Sequence, residues 1–409
     1  MSLRKVVVTG IGPVTPVGVG VSDFWEGMSS GRNGIGPISR FDASGLPVIL
    51  AGEVRGFEAS EFLEPKEIKR TDRFVHFALA ATKLAWEDAG KPQVEPERGA
   101  VIFATGIGGI STILDQHVVM QEKGPGRVSP FMVPMLMGNA AAGHIAMVLG
   151  LTGPNFCTTS ACASGAHAVG EAFRMVRNGL ADLAVTGGSE SATLPLTVAA
   201  FSQMTALTKN PDPETASRPF DANRDGFVLS EGACALVLET EERATSRGAH
   251  LYAEIAGYGA SDDAYHITAP DPEGVGASIA IRRALEDAGE DPTAVGYVNA
   301  HGTSTPLNDA SETAALKTAL GEHAYEAAVS STKSMTGHML GAAGATEAAV
   351  CALAIRDGVL PPTIHYGTPD PTCDLDYVPN EARKAEVRFA ISNSFGFGGQ
   401  NAVLAFRAV

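Results

Sequence analysis

The sequence predicts an α/β protein built from two similar halves, and three observations support this. Short apolar segments alternate with helical patterns, which is typical of sheets buried between helices. Two small-residue helices recur, at 165–179 and 344–358, and two loops that lead into apolar strands, 226–239 and 394–407, recur in the same order. The chain of 409 residues is 44% hydrophobic and 19% charged, as expected for a well-cored globular protein.

The predicted strands follow the chain order, and a charged join divides them. In the first half they lie at 5–9, 48–54 (an edge strand), 100–104 and 183–186, and in the second half at 251–256, 297–300 and 389–392. The charged stretch 239–251 reads as a continuous join, so we divide the chain into halves 1–250 and 251–409. The loop-rich segment 202–225 is long enough to cover a site.

Charge and cysteine content exclude several classes of protein. The net charge of −16 argues against nonspecific nucleic-acid binding. Five irregularly spaced cysteines do not form a disulfide framework, and no Cys-x-x-Cys pair suggests a zinc site. The N-terminus has no apolar signal-peptide region. The sequence also has no stretch of ~18 apolar residues, the length that would predict a membrane span. We therefore expect a protein of the reducing cytoplasm.

Cys162 stands out among the cysteines because of its neighbours. It lies where a strand-like stretch meets a small-residue helix, in Thr158-Thr-Ser-Ala-Cys-Ala-Ser-Gly-Ala-His167. A helix start favours the thiolate, and small neighbours leave room for an acyl group and a free backbone N–H. The alternative is a buried structural cysteine, which is how we interpret the other four. The turn position alone leaves both interpretations open.

Two segments of the second half contain further polar candidates. His301 follows a buried strand in Asn299-Ala-His-Gly-Thr-Ser-Thr305, so it either faces a site or is a hydrogen-bonded core histidine. Lys333 and His338 share the segment 331–344 with small residues. The lysine is either an exposed charge at a helix start or a buried cation, which Glu347 could neutralise.

The last candidate segment is the glycine-rich loop 392–401, with Phe395 and Phe397. It has no lysine-serine/threonine end and no following helix, which disfavours a phosphate cradle. A movable gate with backbone donors fits better.

Together these four segments resemble the β-ketoacyl-acyl-carrier-protein synthases of the thiolase superfamily, and most closely the elongating type. The resemblance runs from 6–12 to the C-terminus. It implies a thiolase-like fold, in which two duplicated βαβαβαββ-type halves form a five-layered αβαβα core. It also implies decarboxylative condensation of an acyl thioester with a malonyl thioester, through an acyl-cysteine intermediate.

The resemblance assigns a role to each matching position. Cys162 matches the acylated nucleophile, His301 and His338 match the histidines that assist decarboxylation, and Lys333 matches an active-site lysine. Phe397 matches a gating residue whose N–H completes an oxyanion hole with that of Cys162. The substrate-binding positions are Ile107 and Phe201 in the acyl-pocket wall, Thr303 and Thr305 at the phosphopantetheine arm, and Phe395 in the gate.

The resemblance also implies ligands and partners. No organic cofactor is expected, and a structural monovalent cation is assigned to Asn299, Glu347, Ser392 and Asn393. The expected partners are acyl carrier protein with its acyl and malonyl thioesters and a second copy of the chain, without nucleic acid or membrane. An acidic carrier protein needs a local basic patch, for which Lys66, Lys69, Arg70, Arg73, Arg127 and Lys209 are candidates beside the simpler interpretation of solvated charges.

Several rival functions are compatible with parts of the pattern. A degradative thiolase would need a second cysteine near 395–401, and that segment has none. An initiating synthase would have a Cys-His-Asn set, whereas this chain has Cys-His-His. A non-catalytic partner subunit that sets chain length would lack the nucleophile, whereas Cys162 is present here. A cysteine hydrolase would leave Lys333 unexplained. A type II polyketide ketosynthase remains an alternative, since the sequence does not separate fatty-acid from polyketide products.

Overall fold

A mixed ten-stranded sheet dominates the computed structural model, which describes residues 3–409. The strands over this range are β1 Val6–Val14, β2 Ile35–Pro37, β3 Leu50–Gly52, β4 Gly99–Ala104, β5 Asn155–Phe156, β6 Leu183–Glu190, β7 Gly232–Thr240, β8 Ala253–Asp262, β9 Tyr297–Asn299, β10 Ala328–Ser330, β11 Val359–Leu360, β12 Arg383–Lys384, β13 Phe389–Gly396 and β14 Gln400–Arg407.

The α-helices over the same range separate these strands. They are α1 Val21–Ser30, α2 Pro65–Ile68, α3 Arg73–Asp88, α4 Ile110–Lys123, α5 Met132–Leu136, α6 Ala140–Leu149, α7 Ser164–Arg177, α8 Pro195–Gln203, α9 Glu241–Ser246, α10 Val275–Ala288, α11 Pro306–Leu320, α12 Lys333–Thr336 and α13 Ala343–Asp357.

The strand order shows the predicted duplication directly. It runs β5-β4-β6-β7-β1 through the first half and continues β8-β14-β13-β9-β10 through the second. In the first half β4 is parallel to β5 and β6, while β7 is antiparallel to β6 and β1. In the second half β9 is parallel to β10 and β13, while β14 is antiparallel to β13 and β8. The two halves therefore share one topology and meet at the β1–β8 pair.

Two equivalent helices, α7 and α13, form the centre of the molecule. They pack on each other, α7 also on β4 and β6 and α13 also on β13 and β7. On the outer faces α3 packs on β1 and β7, and α10 packs on β8 and β14. Small side chains permit this close packing, since Ala345, Ala348 and Ala352 of α13 are completely buried. The predicted five-layered α/β architecture is confirmed.

Most predicted strands are present, with one correction. The predicted edge strand at 48–54 is a three-residue strand, β3, that pairs with β2 in a separate two-stranded sheet. Its Gly52 also forms an isolated backbone bridge to Ser230. Strands β2, β5, β10, β11 and β12 were not predicted, since segments of two and three residues show no periodicity.

The predicted boundary between the two halves, at 250/251, falls in the loop between α9 and β8. In residues 3–409 no helix combines the length and the apolar character that crossing a membrane requires.

Candidate active site

Cys162 lies on a tight turn two residues before α7, as the sequence predicts. Ala161, immediately before it, has a φ of 49°, a left-handed conformation that is uncommon for a side chain with a Cβ. The Ser164 hydroxyl stabilises this turn, because it accepts the Ser160 N–H at 2.8 Å and donates to the Ala161 carbonyl oxygen at 2.6 Å. The turn presents the Cys162 side chain to a cavity of about 590 Å³.

The second half brings three of the predicted residues to the same cavity. His301 lies just beyond β9, His338 lies in the loop after α12, and both rings line the cavity. Lys333 begins α12 and is 1% exposed. The Cys162 sulfur and one ring nitrogen of each histidine all lie within 4.8 Å of one another. The structure thus joins residues that are up to 176 positions apart in the sequence, from Cys162 to His338.

Hydrogen bonds determine which nitrogen of each histidine has the proton. The Lys333 ammonium lies 3.3 Å from His301 Nδ1, and the Leu340 N–H donates to His338 Nδ1 at 3.3 Å. Both Nδ1 atoms must therefore accept, which assigns the ring proton of each neutral imidazole to Nε2. His338 Nε2 is buried without a partner in the described residues. Each histidine can donate an Nε2–H to a ligand in the cavity.

This tautomer also bears on metal binding. A thiolate and two imidazoles form a donor set that can hold zinc. A protonated Nε2, however, has no lone pair for a metal, and Lys333 adds a positive charge beside His301. The trio is therefore better suited to hydrogen bonding of a developing anion than to metal ligation.

Burial controls the protonation of the site. It lowers the pKa of His301 and His338 well below the usual range, and the Lys333 charge lowers both further, so both rings are neutral. Burial raises the pKa of Cys162 to about 11, although Lys333 and the Phe397 N–H act in the opposite direction. The expected preference for thiolate at the helix start is therefore wrong for the free site, because burial outweighs it.

The gate hairpin, residues 395–401, connects β13 to β14 and lies over the Cys162 turn. A Cβ on Gly396 would lie 2.7 Å from the Ser160 carbonyl oxygen and 3.3 Å from the Cys162 nitrogen, so only glycine allows this approach. The Phe397 N–H reaches the Cys162 sulfur. Both N–H groups assigned to the oxyanion hole therefore lie at the nucleophile.

The predicted substrate-binding residues line one continuous cavity. Its wall contains Ile107, Phe201, Thr303, Thr305 and Phe395. The hydroxyls of Thr303 and Thr305 lie 2.9 Å apart, and Thr305 also caps α11. Apart from Cys162, the cysteines of the described chain do not line this cavity, which removes the second cysteine that a degradative thiolase needs.

Three residues of the site were missed by the sequence analysis. Phe227 packs its ring 5.2 Å from that of His338 and 5.6 Å from that of Phe201. Glu312 accepts the N–H groups of His301 and Gly302, at 2.8 and 2.7 Å. Glu190 accepts the N–H group of Gly106 from the first half and that of Gly341 from the second. For Glu190, the one signal available in the sequence was its position as a charged residue at the end of the strand Leu183–Glu190.

The residues assigned to a monovalent cation fit such an ion. Lys333 donates to Glu347 Oε1, while Glu347 Oε2 has no partner in the described chain, and nor do the side-chain oxygens of Asn299, Ser392 and Asn393. Asn299 and Ser392 face each other in the β9–β13 register. Buried oxygens normally have partners, and such oxygens are the ligands that hard cations prefer.

Five of the six candidate docking cations are exposed and form no ion pair within residues 3–409: Lys66, Lys69, Arg70, Arg127 and Lys209. One of them, Arg70, packs over the Phe131 ring at 4.6 Å. Arg73 differs, because its guanidinium pairs with the buried Glu231 at 2.9 Å. Arg73 is therefore a structural cation, and its inclusion in the patch is wrong.

A duplicated fold with a cysteine at a helix start in one half, and two histidines and a lysine in the other, defines the class of thiolase-like acyltransferases. The comparisons with known proteins agree with this class. The family model described as "Beta-ketoacyl synthase, N-terminal domain" matches residues 3–244, and "Beta-ketoacyl synthase, C-terminal domain" matches residues 252–367. The chain belongs to the β-ketoacyl synthase family.

Relatives are similar over the full length. The chain is 53% identical to 3-oxoacyl-[acyl-carrier-protein] synthase 2 of Synechocystis, covering 99% of this chain and 98% of the relative. It is 48% identical to the synthase 2 of Coxiella burnetii, covering both chains completely. Among solved structures, a type II polyketide ketosynthase in complex with its acyl-carrier protein has a TM-score of 0.93 at 35% identity, covering 100% of both chains.

Proposed function

We propose that this chain catalyses the decarboxylative Claisen condensation of acyl and malonyl thioesters on acyl carrier protein, in fatty-acid chain elongation. The observation that carries the proposal is the convergence of the Cys162 sulfur and two neutral, donating histidines within 4.8 Å. Full-length relatives at about half identity are named 3-oxoacyl-[acyl-carrier-protein] synthase 2.

The first half-reaction transfers the acyl group to Cys162. The sulfur attacks the thioester carbonyl carbon, and the N–H groups of Cys162 and Phe397 bind the oxyanion of the tetrahedral intermediate. When the intermediate collapses, the carbon–sulfur bond to the carrier arm breaks. The proton lost by the Cys162 thiol ends on the departing carrier thiol, so this step leaves no net charge.

The second half-reaction uses both histidines. The bond between the malonyl carboxylate carbon and its α-carbon breaks, CO₂ leaves, and the electron pair forms an enolate on the thioester. The Nε2–H groups of His301 and His338 donate to the enolate oxygen. The α-carbon then attacks the acyl-Cys162 carbonyl, a carbon–carbon bond forms, and the Cys162 sulfur departs and takes up a proton.

Water must stay out between these two steps, or the acyl-Cys162 thioester is hydrolysed. The gate hairpin supports this role, because it covers the Cys162 turn and contributes Phe395 and Phe397 to the cavity wall. Lys333 serves as an electrostatic group here: burial lowers the pKa of both histidines, and the Lys333 charge lowers each further, so both stay neutral.

The carrier protein would dock through the five exposed cations Lys66, Lys69, Arg70, Arg127 and Lys209. Their charge complements an acidic partner, although the whole chain is acidic. The double variant Lys66→Glu/Lys69→Glu should have a higher KM for acyl carrier protein, and its acylation by acyl-coenzyme A should be unchanged. Lys91→Glu, three residues after the end of α3, is the control. Equal losses with both acyl donors would contradict docking at this patch.

A second copy of the chain would cover the apolar face of α4 to α6. Val118 and Met120 of α4, Val133 of α5 and Met147 and Val148 of α6 are all about half exposed or more. The neighbouring β5 is an edge strand of the main sheet. A Met147→Glu variant should shift the mass measured by light scattering from dimer to monomer, whereas a monomeric parent would refute the assembly.

We also propose a monovalent cation at Asn299, Glu347, Ser392 and Asn393. When bound, it would neutralise charge and fix the loops beneath His301. Potassium chloride should then raise the melting temperature above that in choline chloride at equal ionic strength, and Ser392→Ala should reduce the difference. Equal melting temperatures in the two salts would refute the site.

The direct test of the function is intact-protein mass spectrometry after mixing with acyl carrier proteins of different chain lengths. One acyl group should be added, on Cys162. Cys162→Ala should stay folded by circular dichroism, take up no acyl group, and lose elongation when acyl and malonyl carrier proteins are supplied. Retained elongation in that variant would refute the mechanism, whereas a parent chain that neither takes up an acyl group nor elongates would favour the non-catalytic partner subunit.

A further inference from the structure

Glu190 is a buried carboxylate that the proposed chemistry does not use. It ends β6, and none of its surface is exposed. Within residues 3–409 it takes part in no ion pair. A buried anion without a cation is costly unless hydrogen bonds replace its hydration. Its neighbours therefore decide what it does.

Four donors converge on this carboxylate. Oε2 accepts the N–H groups of Gly106 and Gly341, at 2.8 and 3.1 Å. Oε1 accepts the Thr105 hydroxyl and the Ile107 N–H, at 3.1 and 3.3 Å. A glutamine has only one acceptor oxygen, and its NH₂ would face two of these donors. The four donors thus favour the carboxylate, in opposition to burial, which raises the pKa of Glu190 to about 7.

The same carboxylate joins the two halves of the active site. Gly106 and Ile107 belong to the first half and line the cavity, whereas Gly341 follows the His338 loop of the second half. The two backbones touch, since a Cβ on Gly341 would lie 2.2 Å from the Gly106 nitrogen. The Glu190 side chain accepts a hydrogen bond from each of these two backbones at this contact.

Strain beside Gly341 connects Glu190 to His338. Leu340 has a φ of 47°, a left-handed conformation that costs of order 1–3 kcal/mol for a residue with a side chain. The Leu340 N–H is the donor that makes His338 Nδ1 an acceptor. A restraint on the next peptide, at Gly341, therefore keeps Leu340 in the conformation that determines the His338 tautomer.

We propose that Glu190 is a positioning residue for decarboxylation: by binding the Gly341 N–H it keeps Leu340 aligned with His338 Nδ1, and so keeps the His338 Nε2–H directed at the enolate. This rests on the proposed function. Glu312 provides a matched comparison, because it accepts the N–H groups of His301 and Gly302 and has no hydrogen bond to the His338 loop.

The experiment compares Glu190→Gln with Glu312→Gln in the full chain labelled with ¹⁵N-histidine. Ring-nitrogen spectra report the protonated nitrogen of each histidine. In Glu190→Gln we expect His338 to lose its pure Nε2–H pattern while His301 keeps its own, and CO₂ release from malonyl carrier protein to fall on the order of 10²-fold. Cys162 acylation should change by less. In Glu312→Gln the His301 signals should move and those of His338 should not.

Unchanged His338 signals and unchanged CO₂ release in Glu190→Gln would overturn the proposal. If that variant does not fold, Glu190→Asp is measured in the same way. Its shorter side chain withdraws the oxygen that accepts both the Gly106 and the Gly341 N–H groups, so an altered His338 pattern supports the proposal and an unchanged one overturns it. A parent protein that releases no CO₂ would instead refute the proposed function, which separates the two failures.

Discussion

The Lys333 ammonium lies 3.3 Å from His301 Nδ1 and donates to the His301 carbonyl oxygen at 2.6 Å. An ammonium cannot accept, so this contact assigns the imidazole proton to Nε2, the nitrogen that a substrate needs as a donor. Its charge also lowers the pKa of His301 and of His338. Lys333 therefore reinforces the neutral state that burial already imposes on both histidines.

Replacing Lys333 should reduce both stability and decarboxylation. Lys333→Met leaves Glu347 buried and unpaired, which should lower the free energy of unfolding by about 3–5 kcal/mol in urea titrations. The double variant Lys333→Met/Glu347→Gln should regain part of this stability but not the rate of CO₂ release. A double variant with the parent rate would show that the charge on Lys333 is not needed.

Removing either histidine should slow decarboxylation more than acylation. His301→Ala and His338→Ala each remove one Nε2–H from the enolate, so CO₂ release from malonyl carrier protein should fall by ~10²–10⁴-fold. Acylation of Cys162, followed by mass spectrometry, should fall much less, because the oxyanion hole consists of backbone N–H groups. His250→Ala, an exposed histidine outside the cavity, is the control. Parent rates of CO₂ release in both variants would contradict the assigned roles.

The free Cys162 should react slowly with alkylating agents at neutral pH. Its pKa is raised to about 11 by burial, so the thiol is protonated and the alkylation rate should rise only as the pH approaches this value. Because Lys333 lowers this pKa, Lys333→Met should shift the pH profile upward. Peptide mapping separates Cys162 from Cys157. A profile with a midpoint below that of the unfolded chain would refute the dominance of burial.

A larger side chain at Ile107 should shorten the accepted acyl chain. Ile107 lines the cavity, so Ile107→Phe should lower kcat/KM for long acyl primers first, by ~10–200-fold, and for short ones little. Ile49→Phe, a comparably exposed isoleucine away from the cavity, is the control. A uniform loss across chain lengths would mean that Ile107 does not form the end of the acyl site.

The sequence by itself predicted much of the fold. Periodicity placed most strands of the main sheet, and the echo between 165–179 and 344–358 predicted the equivalence of α7 and α13. It misplaced β3 and missed β2, β5, β10, β11 and β12, because strands this short are specified by their sheet partners and not by their own pattern. Cys162, His301, His338 and Lys333 were named from local motifs alone, and the structure places all four together.

The tertiary structure alone decided how these groups are protonated and held. Residue types show that Cys162 can be a nucleophile, but the opposing effects of burial and Lys333 on its pKa depend on depth and distance. Likewise, Arg73 reads as a surface cation until the buried Glu231 appears beside it. Glu190 carries no motif, yet it joins two loops that are far apart in the sequence. Chemistry-bearing residue types are local properties of the chain, whereas solvation, tautomers and the contacts of buried carboxylates exist only after distant segments have packed.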